Sequence, residues 1–133
     1  MILKFLTENE DRDRNQAAVA TVLQDAIRDA ITPFRPNTPI PSGETDWEDQ
    51  QNNIYFGVTP KKSNHDQDEV LTYGLWTTAL TGIKAFVQHY PWLLFRFEIY
   101  EIEYDREGHV ENEFMVGVGQ LTTYVIEQTS QSR

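Results

Sequence analysis

Leu93-Leu94-Phe95-Arg96-Phe97-Glu98-Ile99-Tyr100-Glu101-Ile102-Glu103-Tyr104, then Asp105-Arg106-Glu107-Gly108, then His109-Val110-Glu111-Asn112-Glu113-Phe114-Met115-Val116-Gly117-Val118, is the stretch that decides the fold. Phe95, Phe97 and Ile99 alternate with polar neighbours, as do Phe114, Val116 and Val118, and a period of two marks a strand with one buried face. Asp105 to Gly108 is a turn, with glycine where a positive φ is tolerated. A four-residue loop puts Tyr104 opposite His109. Phe95, Phe97 and Ile99 then lie opposite Val118, Val116 and Phe114, all on one face. The turn and the alternation demand the same register, a strong signature of an antiparallel hairpin.

The same register assigns the opposite face. Leu94, Arg96, Glu98, Tyr100, Ile102 and Tyr104 come from one strand. His109, Glu111, Glu113, Met115, Gly117 and Gly119 come from the other. Tyr100, Ile102 and Tyr104 are more apolar than a solvated face requires, and the glycines clear space beside Arg96 and Leu94. Three readings stay open: an ordinary half-exposed face, a homodimer or partner surface, and a ligand cleft anchored by Arg96 and Glu98.

Outward from the hairpin the chain reads as follows. Ile2 to Leu6 is a short strand with Leu3 and Phe5 on one face. From Asn15 to Ile31 the residues Val19, Leu23, Ile27 and Ala30, extended by Ala20 and Ile31, form the apolar stripe of an amphipathic helix. Asp13-x-x-Gln16 has capping-box spacing before it, and Pro33 ends it. Residues 32–53 carry Pro33, Pro36, Pro39 and Pro41 and then the acidic run Glu44, Asp46, Trp47, Glu48, Asp49. So long a connection without its own structure is a mobile or functional loop, which makes Trp47 a candidate contact. Ile54 to Thr59 is a strand facing the core through Ile54, Phe56 and Val58. A second helix runs from Asp68 to Tyr90, its stripe carried by Tyr73, Trp76, Leu80, Ile83 and Val87. Asp66-x-x-Glu69 caps it, and Gly74 and Gly82 mark places where another backbone approaches closely. Leu121 to Ile126 continues the last strand or starts another, and Gln128 to Arg133 is a polar tail.

Bulk composition bounds the function. The chain of 133 residues is a single-domain length with no cysteine, so disulfides and thiolate chemistry are excluded. It carries 21 acidic and 11 basic residues, a net charge of -10. No basic cluster larger than Lys61-Lys62 is present, which argues against nucleic-acid and anionic-membrane partners. The apolar N-terminus stops at Glu8, too short for a signal or a membrane span. A soluble, cytoplasmic protein is expected.

The chemistry motifs fail one by one. Ser42, Ser63, Ser130 and Ser132 lie in loops or the tail and outside any G-x-S-x-G context. Gly117-Val118-Gly119 lacks the third glycine and the following helix of a phosphate cradle. Asn64-His65-Asp66-Gln67-Asp68 begins like a calcium loop, but Glu69 and Leu75 stand where the sharp turn and the closing carboxylate belong. His65, His89 and His109 share no ligand spacing. No metal and no cofactor is expected. The overlapping P-x-x-P patterns around Arg35 read as a stiff connector before they read as a ligand. For acid-base chemistry the best candidate is Glu98, flanked by Arg96 and Tyr100.

The expected fold is α+β: a mostly antiparallel sheet with two helices on one face, in the order β-α-β-α-β-β. The expected core holds Phe5, Leu23, Ile27, Phe56, Leu80, Ile83, Val87, Phe95, Phe97, Ile99, Phe114 and Val116. The alternative is a cone-like sheet curved around the second helix, with Tyr73, Trp76, Tyr90 and Trp92 lining a cavity. Two functions are compatible with this. The first is a non-enzymatic interaction or accessory protein acting through the outer hairpin face and the Pro-rich acidic loop, as a homodimer or with another protein. Its contacts would be Arg96, Glu98, Tyr100, Ile102, Tyr104 and Trp47. The second is a small isomerase, lyase or cyclase that uses Glu98 in an aromatic-walled pocket for a hydrophobic small molecule.

Overall fold

The computed structural model describes residues 1–11, 15–31, 36–61 and 70–123. Along the chain these form β1 (Ile2–Glu10), α1 (Gln16–Ile31), β2 (Thr45–Asp49), β3 (Ile54–Pro60), α2 (Tyr73–His89), β4 (Leu93–Tyr104) and β5 (Val110–Thr123). The strands make one antiparallel five-stranded sheet in the order β1-β4-β5-β3-β2, with both helices on one face. The architecture is α+β, with one strand more than the order read from the sequence. The addition is β2, built from the acidic run itself. Alternation explains it: Trp47 and Thr45 face inward opposite Phe56 and Val58, while Asp46 and Glu48 stay exposed.

The core lies between sheet and helices. Phe56, Phe95, Phe97, Ile99 and Val116 from the sheet and Trp76, Leu80 and Ile83 from α2 are all shut off from water. Trp76 is the hub, its ring stacked against Trp47 and Phe97 at 6.1 Å and against Phe56 at 5.9 Å. A second group joins Phe5 to Phe86 at 3.9 Å and Phe86 to Phe95 at 4.9 Å. Of the expected core, Phe5 and Ile27 are partly buried and packed against the rest, and Phe114 is half-buried. Helix α1 buries Ala18, Val22 and Ala26 besides Val19 and Leu23, so its apolar stripe is broader than the one read from the sequence, while Ala20 and Ile31 face water. The aromatics expected around a cone cavity are dispersed: Trp76 is buried, while Tyr90 and Trp92 are 45% and 39% exposed.

The register of the β4–β5 hairpin departs from the expectation. Asp105 N–H donates to the His109 carbonyl at 2.9 Å and Gly108 N–H to the Asp105 carbonyl at 3.1 Å. Gly108 has φ +84. The loop is therefore Arg106 to Gly108 with a glycine in the left-handed region, and Tyr104 pairs with Val110 instead of His109. Two bulges follow, between Glu103 and Tyr104 and between Ile99 and Tyr100. Each inserts one residue on β5. Phe97 thus meets Gly119, and Phe95 meets Leu121, three positions beyond the expected Val118. Phe97 and Val116 are nevertheless both fully buried, because a bulge re-aims the strand and restores the inward face.

The bulges reverse the roles of the glycines. Gly117 and Gly119 face inward, opposite Ile99 and Phe97, and Val118 faces outward opposite Glu98. A Cβ on Gly119 would collide with the Phe97 ring and with the Gly57 carbonyl oxygen. The space these glycines clear holds core aromatic and aliphatic groups rather than Arg96 and Leu94.

Helix α2 starts at Tyr73, later than expected, because Thr72 caps it. The N–H groups of Tyr73, Gly74 and Leu75, which have no acceptor within the helix ladder, all find partners, and Trp76 N–H opens the ladder. Tyr73 N–H donates to the Thr38 carbonyl at 3.0 Å and Gly74 N–H to the Pro36 carbonyl at 2.9 Å. Leu75 N–H reaches Thr72 Oγ1 at 3.2 Å, and Trp76 N–H the Thr72 carbonyl at 2.9 Å. Residues 36–38 are thus held against the start of α2. Another backbone does approach closely at Gly74, where a Cβ would lie 2.9 Å from the Pro36 oxygen, whereas at Gly82 the close neighbour is a side chain of β1, Leu3 Cδ2 at 2.8 Å. At the start of α1, Asn15 Oδ1 accepts from Ala18 N–H at 3.0 Å. The caps read at Asp13 and at Asp66-x-x-Glu69, the calcium-like run with His65, Pro33 and Arg35 of the P-x-x-P patterns, the serines Ser63, Ser130 and Ser132, and the chain beyond Thr123 lie outside the described residues.

Candidate functional site

The outer face of the sheet carries no helix of the described residues, since both helices pack on the inner face. Its centre is set by three aligned strands. Arg96, Gln120 and Gly57 form one row across β4, β5 and β3, and Asp46 extends that row onto β2. Glu98, Val118 and Thr59 form the next row, with Lys4 of β1 beside Glu98. Lys61 follows Thr59 along the same face. These side chains surround a shallow cleft of about 390 Å³, bounded by Arg96, Glu98, Thr59, Lys61, Val118 and Gln120.

Toward the hairpin the contacts become specific. The Tyr100 hydroxyl donates to Glu98 Oε1 at 2.9 Å. Lys4 Nζ sits 4.4 Å from the centre of the Tyr100 ring and 3.6 Å from Glu113 Oε1. Burial pushes the Tyr100 hydroxyl above its ordinary pKa of 10.0, helped by the hydrogen bond to Glu98 and by the negative charges of Glu98 and Glu113. The phenol therefore stays protonated and keeps one lone pair of Glu98 occupied. Ile102 and Met115 are half-buried on this face.

The candidate residues separate. Arg96, Glu98, Tyr100 and Ile102 share the outer face, and among the described residues the Arg96 side chain has neither an ion pair nor a hydrogen bond. Tyr104 is 57% exposed, near the tip of the hairpin. Trp47 lies on the other side of the sheet, where its Nε1 donates to Asp29 Oδ2 at 2.8 Å and its ring stacks on Trp76. It completes the core at the β2 edge. Lys4, Thr59, Lys61, Val118 and Gln120 were not singled out from the sequence. The parity of Leu3 and Phe5 already implied an outward Lys4. Val118 was placed inward because neither bulge leaves a compositional mark.

No known family, curated protein or solved structure matches this chain.

Elsewhere, a groove of about 390 Å³ runs between α1 and α2, lined by Ala20, Leu23, Lys84, Val87 and Pro91. A smaller hollow of about 180 Å³ lies between Trp47, Tyr73 and Ile40. Among the described residues no group of three or more His, Asp or Glu could hold a metal ion, and no helix is long and apolar enough to cross a membrane.

Proposed function

We infer that the protein is a non-enzymatic interaction protein that binds through the outer face of its sheet, centred on the β4–β5 hairpin. The observation that carries this is the half-buried set Tyr100, Ile102, Met115 and Val118 on a face over which no described helix packs. A purely solvated face would carry short or charged groups at these positions, and exposed apolar patches of this kind mark interaction sites. The acidic half of the connecting segment joins the same surface through Glu44, which borders the cleft. Residues 36–38 of its Pro-rich half are occupied with capping α2.

The enzymatic alternative draws little support from the geometry. Its carboxylate, Glu98, is on the outer face, while of the aromatics expected to wall its pocket Trp76 is buried beneath the inner face and Tyr90 and Trp92 are exposed. Any substrate at Glu98 would meet Tyr100, Val118, Thr59 and Arg96, of which Tyr100 alone is aromatic.

Affinity capture from a native extract with wild-type chain and with Val118→Asp tests the reading. Val118 is outward and only half-buried, so the variant keeps the fold, which circular dichroism verifies. The wild type is expected to retain a bound protein, this chain included, that Val118→Asp loses. Identical capture by both forms would refute the assignment of the outer face.

A further inference from the structure

We propose that the partner seated on the outer face is a second copy of the chain, packed sheet to sheet about a two-fold axis parallel to β5. This rests on the reading of the outer face as the interaction surface and adds the occupant and its orientation.

The strand order and the charges carry the argument together. On the outer face the cations Lys4 and Arg96 sit on β1 and β4, and the anions Glu44, Asp46 and Glu48 sit at β2, the opposite edge. A two-fold axis running along the central strand, β5, lays β1 over the partner copy's β2 and β4 over its β3. In a two-fold contact every such pairing occurs twice. Rows are preserved by this rotation. Arg96 shares a row with Gln120, Gly57 and Asp46, so it lands over the glycine of the second copy, one strand from that copy's Asp46. Neighbouring strands are ~4.8 Å apart, within the reach of an arginine side chain. Lys4 shares a row with Glu98, Val118 and Thr59. Thr45 pairs with Val58, which sets Glu44 level with Thr59, so Lys4 lands over Glu44 of the second copy. Glu98 lands over Thr59 of the second copy, with Lys61 two residues further along. Three opposite-charge pairs come within reach, Lys4 sharing its ammonium between Glu113 of its own copy and Glu44 of the second, and Val118 meets its own counterpart near the axis.

The size fits. Five strands ~4.8 Å apart and about eight residues long at ~3.3 Å each present a plan of roughly 600 Å². Side-chain relief brings the accessible area toward the ~800 Å² per partner of a stable interface. Aligned sheets pack ~10 Å apart with their strands ~30° from parallel, so the facing rows stay level near β5 and separate by roughly 5 Å at β1 and β2, within the span of a lysine side chain. The chain carries a net charge of -10; on the axial strand β5 the outward carboxylate Glu113 is matched by Lys4 of its own copy at 3.6 Å.

Size-exclusion chromatography with light scattering on the full chain tests the proposal, with Arg96→Glu, Val118→Asp and the double variant Arg96→Glu/Asp46→Arg. The wild type is expected to run at twice the chain mass and to dissociate on dilution. Arg96→Glu should weaken association ~10-fold or more, as reversal of one member of a close interfacial pair does. The double variant should recover most of that loss, and Val118→Asp should abolish the dimer. A wild-type monomer at the highest soluble concentration overturns the proposal, and so does a dimer insensitive to Val118→Asp. A dimer broken by Val118→Asp but indifferent to the charge reversals overturns the orientation and with it the proposal. If the chain is monomeric yet captures a different protein in a Val118-dependent way, the interaction reading stands and only the second copy is excluded.

Discussion

The two halves of the β4–β5 ladder differ sharply in burial although both alternate in the same way. In the proximal half, Leu93 to Tyr100 pair with β1 on one side and β5 on the other, and the inward residues Phe95, Phe97 and Ile99 are fully buried under α2. In the distal half, Glu101 to Phe114, the described strands pair only with each other. There Tyr104 and Val110 are 57% and 52% exposed. Alternation makes a strand, but burial requires a third element to cover it. A two-stranded ribbon has no such cover, and its carboxylates at Glu101, Glu103, Glu107, Glu111 and Glu113 hold it in water. The bulge at Ile99/Tyr100 sits at the junction between the two regimes.

Substitutions should reproduce this division. The largest effect is expected from Phe97→Ala, which empties a site packed against Phe56, Trp76 and Phe95. The loss should be ~3–5 kcal/mol in urea or guanidinium unfolding, and a loss below ~1 kcal/mol would show that the proximal ladder is not the core. Gly119→Ala comes next. Its Cβ has no room beside the Phe97 ring, so overpacking should cost ~1–3 kcal/mol. An alanine that leaves the midpoint unchanged would mean that Gly119 does not face inward and that the bulged register is wrong.

In the distal half the same change acts through backbone alone. Gly108→Ala meets nothing within 4 Å but must hold φ +84, and should cost about 1 kcal/mol. A proton-exchange map would show that loss confined to the turn, leaving the amides of Phe95 to Ile99 protected. Tyr104→Ala should move the unfolding midpoint by no more than ~0.5 kcal/mol, as exposed substitutions do. A larger loss in the isolated monomer would mean that the distal ribbon is packed.

Tyr100 reports on the boundary between the halves. The folded chain holds its proton more tightly than the unfolded chain, because burial, Glu98 and Glu113 all raise its pKa above 10.0. Stability from this group is therefore complete below pH 10 and is lost as the pH rises through the higher folded-state value. In an ultraviolet phenolate titration Tyr100 should ionise above the ordinary tyrosine value of 10.0, and Tyr100→Phe should remove the late component and soften the alkaline loss of stability. A spectrum in which Tyr100→Phe removes an early component would contradict the Glu98 contact.

Local chemistry dictated a good deal of this protein. Period-two alternation in Ile54 to Thr59 and Leu93 to Tyr104, the helical stripe from Val19 to Ala30, the turn at Asp105 to Gly108 and the close backbone approach at Gly74 are all properties of short windows, and each is realised. The shared face of Arg96, Glu98, Tyr100 and Ile102 follows from the same alternation. Three features depended on residues far apart in the chain. Strand β2 exists because Trp47 finds Trp76 and Phe56, although its own residues are mostly acidic. Pro36 and Thr38 are placed by the open N–H groups of α2. The β4–β5 register was decided by Phe97, whose ring needs the empty position at Gly119. The two bulges slide β5 until that glycine arrives, and they exchange Val118 for Gly117 and Gly119 on the outer face. Alternation specifies that a strand has two faces. Which residues of its neighbour share each face is settled by how the largest side chains pack in three dimensions.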